Sequence, residues 1–195
     1  MVTRIIFFIT CLFVFGGPLN ANASLLFSDT FNSENSGSGA LNYNGLNFWT
    51  VSNGTVDLIG NGYFDFFPGN GMYLDLDGST SDAALLTSTS AFNFTPGTYT
   101  LSFDLGGSTR GDNNTVDVSL GGLYNETFTL ASGFPLTNYQ RTFNVGAATS
   151  ANLSFDHHGG DNFGIILDNV ALDSRDTSVV PEPENGSKMI SPGLK

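Results

Sequence analysis

The sequence predicts an all-β fold, an antiparallel β-sandwich of jelly-roll type. Three observations predict it. Short runs with an apolar residue at every second position recur between turn residues, while no dozen residues carry the three-and-four apolar spacing of an amphipathic helix. The composition fits as well, with 24 glycines to make turns and 18 phenylalanines to fill a core. A period of two sends alternate side chains to opposite faces, so each run offers one apolar face for burial.

The runs follow one another at hairpin spacing. Leu25-Leu26-Phe27 opens the domain, then Phe48–Val51 and Thr55–Ile59 flank an Asn53-Gly54 turn. Met72, Leu74 and Leu76 alternate with Tyr73, Asp75 and Asp77. After Pro96-Gly97, the residues Tyr99, Leu101, Phe103 and Leu105 alternate with Thr100, Ser102 and Asp104. Val116, Val118 and Leu120 share one face opposite Asp117 and Ser119. Phe128 with Leu130, Phe143 with Val145, and Leu153 with Phe155 repeat the pattern, and Ile165 to Leu172 closes it. Roughly nine or ten strands at this spacing call for two packed sheets, with immunoglobulin-like connectivity as the alternative to a jelly roll.

The N-terminus has the three parts of a secretory signal peptide. Arg4 supplies the positive charge, Ile5 to Phe15 is apolar, and Gly16-Gly17-Pro18 breaks the run. The apolar stretch is roughly 11 residues where a membrane span needs about 20, so cleavage is expected. Ala21-Asn22-Ala23 puts small residues at the positions a signal peptidase reads, predicting a mature start at Ser24. The expected organisation is a signal peptide over 1–23, a sandwich domain over 24–173, and a disordered tail over 174–195 rich in proline and polar residues.

Removing the signal takes away the single cysteine, Cys11, so disulfides cannot hold the mature fold. It also removes Arg4, leaving five basic residues against 18 acidic ones, a formal net charge of −13. That charge makes nucleic acid and anionic lipid poor partners and favours hard cations.

Three segments in order resemble a known group: Leu26-Phe27-Ser28-Asp29-Thr30-Phe31, Gly97-Thr98-Tyr99-Thr100-Leu101-Ser102-Phe103-Asp104, and Leu167-Asp168-Asn169-Val170-Ala171-Leu172. They resemble bacterial extracellular jelly-roll domains related to galactose-binding-like and carbohydrate-binding-module folds, found in proteins with a PEP-CTERM sorting signal. Pro181-Glu182-Pro183 looks like the opening motif of that signal. The resemblance implies a secreted bacterial protein, handled by an exosortase and associated with exopolysaccharide or biofilm matrix. In that family an apolar helix and an arginine-rich end follow the motif. Glu184–Ile190 has no apolar span, so release as a soluble protein is expected here.

Asp168 is the most informative candidate. With Ile166, Val170 and Leu172 it shares one face of the last strand by the period-two rule, and a carboxylate among apolar residues is costly unless paired or metal-bound. The resemblance implies a structural calcium between the opening segment and the last strand, with Asp168, Asp29 and Glu34 as ligands. The other reading is a carboxylate that accepts backbone hydrogen bonds in a turn, or one that simply faces out at a bulge. Tyr63, Phe64, Phe66 and Phe67 crowd a Gly/Asn-rich segment. They form either a platform on which sugar rings stack or plugs that cover the core. Trp49 alternates with Val51 towards the interior and reads as core.

Other motifs carry less. Asp75 and Asp77 lack the ligand spacing of an EF-hand and read as a solvated strand face. His157 and His158 read as a surface loop, and Arg110-Gly111-Asp112 as ordinary hairpin-loop chemistry. No cysteine nucleophile, Gly-x-Ser-x-Gly elbow or phosphate loop points to catalysis. The expected function is thus non-catalytic binding or organisation of extracellular polysaccharide. A purely structural matrix protein is the rival, and would bury the aromatic segment. A glycan-active enzyme would instead set two carboxylates about 5 to 10 Å apart across a groove.

Overall fold

Alternation along the chain builds two layers, and the computed structural model describes residues 22–176 of them. In chain order the strands are β1 (Asn22–Asp29), β2 (Trp49–Ser52), β3 (Asp57–Gly60), β4 (Met72–Asp75), β5 (Leu85–Ser88) and β6 (Phe92–Phe94). They continue as β7 (Gly97–Gly106), β8 (Asn113–Leu120), β9 (Tyr124–Ala131), β10 (Thr137–Val145), β11 (Thr149–Ala151), β12 (Leu153–His158) and β13 (Ile166–Asp176). A short 3-10 turn at Glu34–Gly37 follows β1.

A six-stranded sheet runs β10-β7-β13-β4-β3, with β1 also paired to β13. A five-stranded sheet runs β2-β5-β12-β8-β9, and β11 pairs with β6. All these strand pairs are antiparallel. The expected sandwich is therefore present, with more strands than the nine or ten read from the pattern.

The inward residues are those of the apolar alternation. Leu101, Phe103 and Leu105 of β7 face Val116, Val118 and Leu120 of β8 and Leu153 and Phe155 of β12, all fully buried. Phe103 is central: its ring meets Phe155 edge-on at 5.6 Å and Phe128 at 5.5 Å, and stacks on Tyr139 at 6.0 Å. Offset and edge-on pairs of this kind add to the area each ring buries.

A second, smaller core lies on the other face of the six-stranded sheet. Ile59, Tyr73 and Ile166 are buried there beneath Phe66, Phe67 and Leu136. The alternation does not show this cover, because it comes from a loop. Consequently β4 is buried on both faces, and Asp75 and Asp77, expected on a solvated face, are enclosed.

Three further expectations need correction. Asn53-Gly54 does not close a hairpin, for β2 pairs with β5 in one sheet and β3 with β4 in the other. The turn carries the chain between layers, where Gly54 lies so close to Asp82 that an added Cβ would be 1.8 Å from its carbonyl oxygen. His157 and His158 end β12 and are not in a loop; His157 points inward and is buried. Ser174 to Asp176, assigned to the tail, extend β13 against β1. The rest of the tail and nearly all of the signal peptide lie outside the described residues.

Truncating Phe103 to alanine removes the ring shared by both layers and should destabilise the domain by about 3–5 kcal/mol. Urea unfolding measures this at unchanged m-value, and a loss below about 1 kcal/mol would contradict the central place given to Phe103.

Candidate functional site

Of the expected calcium ligands, Asp29 and Asp168 lie at the seam where β13 changes partner, and Glu34 lies in the 3-10 turn after β1. β13 pairs with β4 at Ile166 and Leu167 and with β1 from Val170 onwards. Between them its register against β7 shifts at Asp168–Ala171, with Asn169 at φ 50. This bulge overturns the expected shared face. Val170 and Leu172 join the main core, whereas Ile166 joins the outer one, and Asp168 lies opposite Asp104. An extra residue in one strand flips everything after it.

Asp29, Glu34 and Asp168 are all buried. Asp29 accepts the Phe31 N–H and the Trp49 Nε1–H, each at 2.8 Å, so Trp49 is a core residue tied to the opening segment. Glu34 accepts the Asn47 N–H at 3.0 Å, and Asp168 accepts the Asn169 N–H at 2.7 Å. Asp168 is therefore a hydrogen-bonded carboxylate at a bulge and does not face out, and it carries no cationic partner among the described residues. Burial, together with the charges of Asp104 and Asp29, pushes its carboxyl up to about 7. Glu34 is also raised, by burial and by Asp29. Among the described residues no three such side chains gather into a ready metal-ligand group, so the three acids do not by themselves form a coordination shell.

The aromatic segment divides. Phe66 and Phe67 are half-buried and plug the outer core, as the cover reading expects. The loop is pinned by Tyr73, whose hydroxyl accepts the Phe67 N–H and donates to Asp65, both at 2.9 Å. Tyr63 and Phe64 stay outside, 38% and 55% exposed, with their rings edge-on at 4.9 Å. Tyr63 lies so close to Gly39 that a Cβ there would be 2.1 Å from its ring. Phe64 is held at φ 45, an uncommon conformation for a bulky residue and a mark of a position fixed by its surroundings.

Beside Phe64 opens a cleft of about 140 Å³. Its floor is the outer face of β3 and β4, where Asp57 stands directly opposite Asp75 beside Ile59. Phe64, Phe66 and Arg110 form one wall, and Ser79 and Asn162 reach it from neighbouring loops. Asn162 has φ 147, costly for any residue but glycine. Arg110 pairs with Asp75 and its guanidinium carbon lies over the Phe66 and Phe163 rings at 5.2 and 4.7 Å. Burial pushes the Asp75 carboxyl up to about 7 against the opposing pull of Arg110. The ion pair therefore offsets only part of the desolvation cost.

Sequence reasoning missed this cleft. The tripeptide at Arg110 is ordinary loop chemistry by sequence, yet residues 22–176 contain only three arginines and no lysine, and scarcity of cations in an acidic domain is a usable signal. Here the Arg-Gly-Asp loop is folded inward: Arg110 binds Asp75, and Asp112 accepts hydrogen bonds from Ser108 and Asn114. The histidines do not meet. His157 accepts the Ile165 N–H at 3.1 Å and burial pulls its pKa down to about 4, whereas His158 lies 2.9 Å from Asp117 at the surface.

No protein-family model matches the chain, and no curated protein matches it by sequence. Solved structures share its fold. The CBM22-1–GH10 modules of endo-1,4-β-D-xylanase 10B from Clostridium thermocellum, complexed with xylohexaose, align with a TM-score of 0.51 at 16% identity, over 80% of this chain and 29% of that chain. This chain thus spans less than a third of that structure. The K3 cleaved adhesin domain of Lys-gingipain from Porphyromonas gingivalis W83 aligns at 0.49 and 19% identity, over 76% of this chain and 99% of that one. The CBM22-1 xylan-binding domain of Paenibacillus barcinonensis Xyn10C aligns at 0.49 and 11%, over 78% and 95%. At such identities the likeness is one of fold, and the two below 0.5 add no weight to it.

The raised carboxyls have a consequence for stability. With Asp168 titrating near 7 when folded and in the ordinary carboxylate range when unfolded, the folded state holds the extra proton between about pH 4 and 7, so this group's contribution is lost as pH rises through that window. His157 acts with the opposite sign: its depressed pKa costs stability as pH falls below about 6.5. Comparing Asp168→Asn with the parent in chelator isolates the first effect. The variant's melting temperature should gain on the parent by several degrees from about pH 5 to pH 8. A constant difference across that range would contradict the assignment.

Proposed function

We propose that this chain is a secreted, non-catalytic glycan-binding β-sandwich that works in extracellular polysaccharide or biofilm matrix. The observation that carries the reading is Phe64, an exposed ring at the rim of a polar cleft, on a loop anchored by Phe66 and Phe67. An apolar face next to a few converging polar groups is what a sugar ring needs, since stacking supplies contact area and carboxylates or amides read hydroxyls. The fold likeness to xylanase modules solved with xylohexaose is consistent with it.

A purely structural matrix protein would bury the whole aromatic segment. Phe66 and Phe67 fit that rival, and Tyr63 and Phe64 do not. The enzyme reading would take Asp57 and Asp75, which face each other on β3 and β4, as its pair, and the ion pair of Asp75 with Arg110 weighs against it. Asp57 accepts hydrogen bonds from Asn42 and Ser79, and Asp75 is held by Arg110. A glycosidase pair needs one carboxyl to give up a proton and the other to face a water or the sugar.

Export rests on the signal peptide, and handling by an exosortase on Pro181-Glu182-Pro183. Calcium at the Asp29, Glu34 and Asp168 seam remains part of the proposal, supported by buried acids without a cationic partner among the described residues. No helix of the described residues is long and apolar enough to cross a membrane.

A glycan array with and without calcium tests the binding. Phe64→Ala should weaken the best signal roughly tenfold or more with the melting temperature unchanged. No binding by the folded protein in either condition would sink the proposal. For the metal, chelation should lower the melting temperature and Asp168→Ala should remove that sensitivity; equal melting with calcium and with chelator would dismiss it.

A further inference from the structure

Resting on that glycan reading, we propose that the cleft beside Phe64 selects neutral sugars, with Arg110 and Asp57 reading a vicinal pair of hydroxyls and acidic sugars turned away. The guanidinium is a rigid donor. Two phenyl rings lie against it and Asp75 takes Nη2, while Nε is buried. Nη1 makes no hydrogen bond among the described residues, and the side chain, 24% exposed, lines the cleft. Asp57 is equally fixed: Oδ1 accepts the Asn42 and Ser79 N–H groups at 2.7 and 3.1 Å, and Oδ2 accepts the Ser79 hydroxyl at 2.7 Å. Oδ2 retains capacity for one more donor.

One group with spare donors and one with a spare acceptor, both in the same cleft beside an exposed ring, match adjacent sugar hydroxyls. One hydroxyl accepts from Arg110 and its neighbour donates to Asp57. An acidic sugar meets a different balance. Its carboxylate would compete with Asp75 for the one guanidinium and add a third negative charge beside Asp57 and Asp75, and like charges held together in a partly desolvated site repel. The formal charge of −12 on the chain also repels polyanions at longer range.

The test is an array of neutral xylo-, gluco- and galacto-oligosaccharides beside oligogalacturonates, at low salt, with the full chain. Binding confined to neutral glycans, at least about tenfold over the acidic ones, is expected. Equal or tighter binding of oligogalacturonates would overturn the inference and leave the glycan reading standing; no binding at all would overturn both. On the best neutral glycan, Asp57→Asn, which keeps Oδ1 for its two N–H partners, and Arg110→Lys, which keeps a charge for Asp75, should each weaken binding about tenfold. Full affinity in a folded Asp57→Asn variant, with Phe64→Ala still defective, would show that the ring binds sugar but the hydroxyl pair is misassigned.

Discussion

β13 is the strand on which the rest of the domain is assembled. It bonds to β7 along one edge and to β4 and then β1 along the other, so three segments far apart in the chain take their register from it. A strand with two partners on one side must hand over from one to the next, and β13 does so at the Asp168–Ala171 bulge. That single irregularity decides which residues feed the main core and which feed the outer one. It also leaves a buried carboxylate at the handover, where β1 has already turned away through Phe31 at φ 55.

The outer core follows from the same sheet. Because β3, β4 and β13 expose Ile59, Tyr73 and Ile166 on their second face, something must cover them, and the Tyr63–Asn70 segment does so with Phe66 and Phe67. Anchoring by those two rings makes the adjacent Phe64 a fixed feature of the surface. The same covering helps enclose Asp75, while residues 159–164 close over Asp77. Arg110, drawn across from the loop after β7, offsets part of that buried charge, and one oxygen of Asp77 stays without a partner. A buried carboxylate is tolerated when its hydrogen bonds and charge are met, and here they are met in part, which is why the Asp75 carboxyl titrates high.

Local pattern was a good guide wherever the period of two ran without interruption. The inward residues of β7, β8 and β12 were all legible, and Trp49 was read correctly as core. The same rule failed at Asp168, where one residue in a left-handed conformation reversed the faces beyond it. It failed again at Asp75 and Asp77, since alternation describes which side of a strand a residue occupies and is silent on what covers that side. Asn53-Gly54 was legible as a turn and not as a change of layer, for a two-residue turn signal is the same whether the strands it joins share a sheet or not.

Sequence alone was enough for the all-β class, the apolar faces of the long strands and the acidic composition. These depend on composition and on neighbours a few residues apart. The cleft was visible only in three dimensions, because its floor, its wall and its cation come from Asp57, Phe64, Asp75 and Arg110, brought together by sheet pairing and by a loop folded over the sheet. Tertiary packing also sets the division of the aromatic segment, since identical residue types become plug or platform according to which of them the outer face of the six-stranded sheet has room to bury.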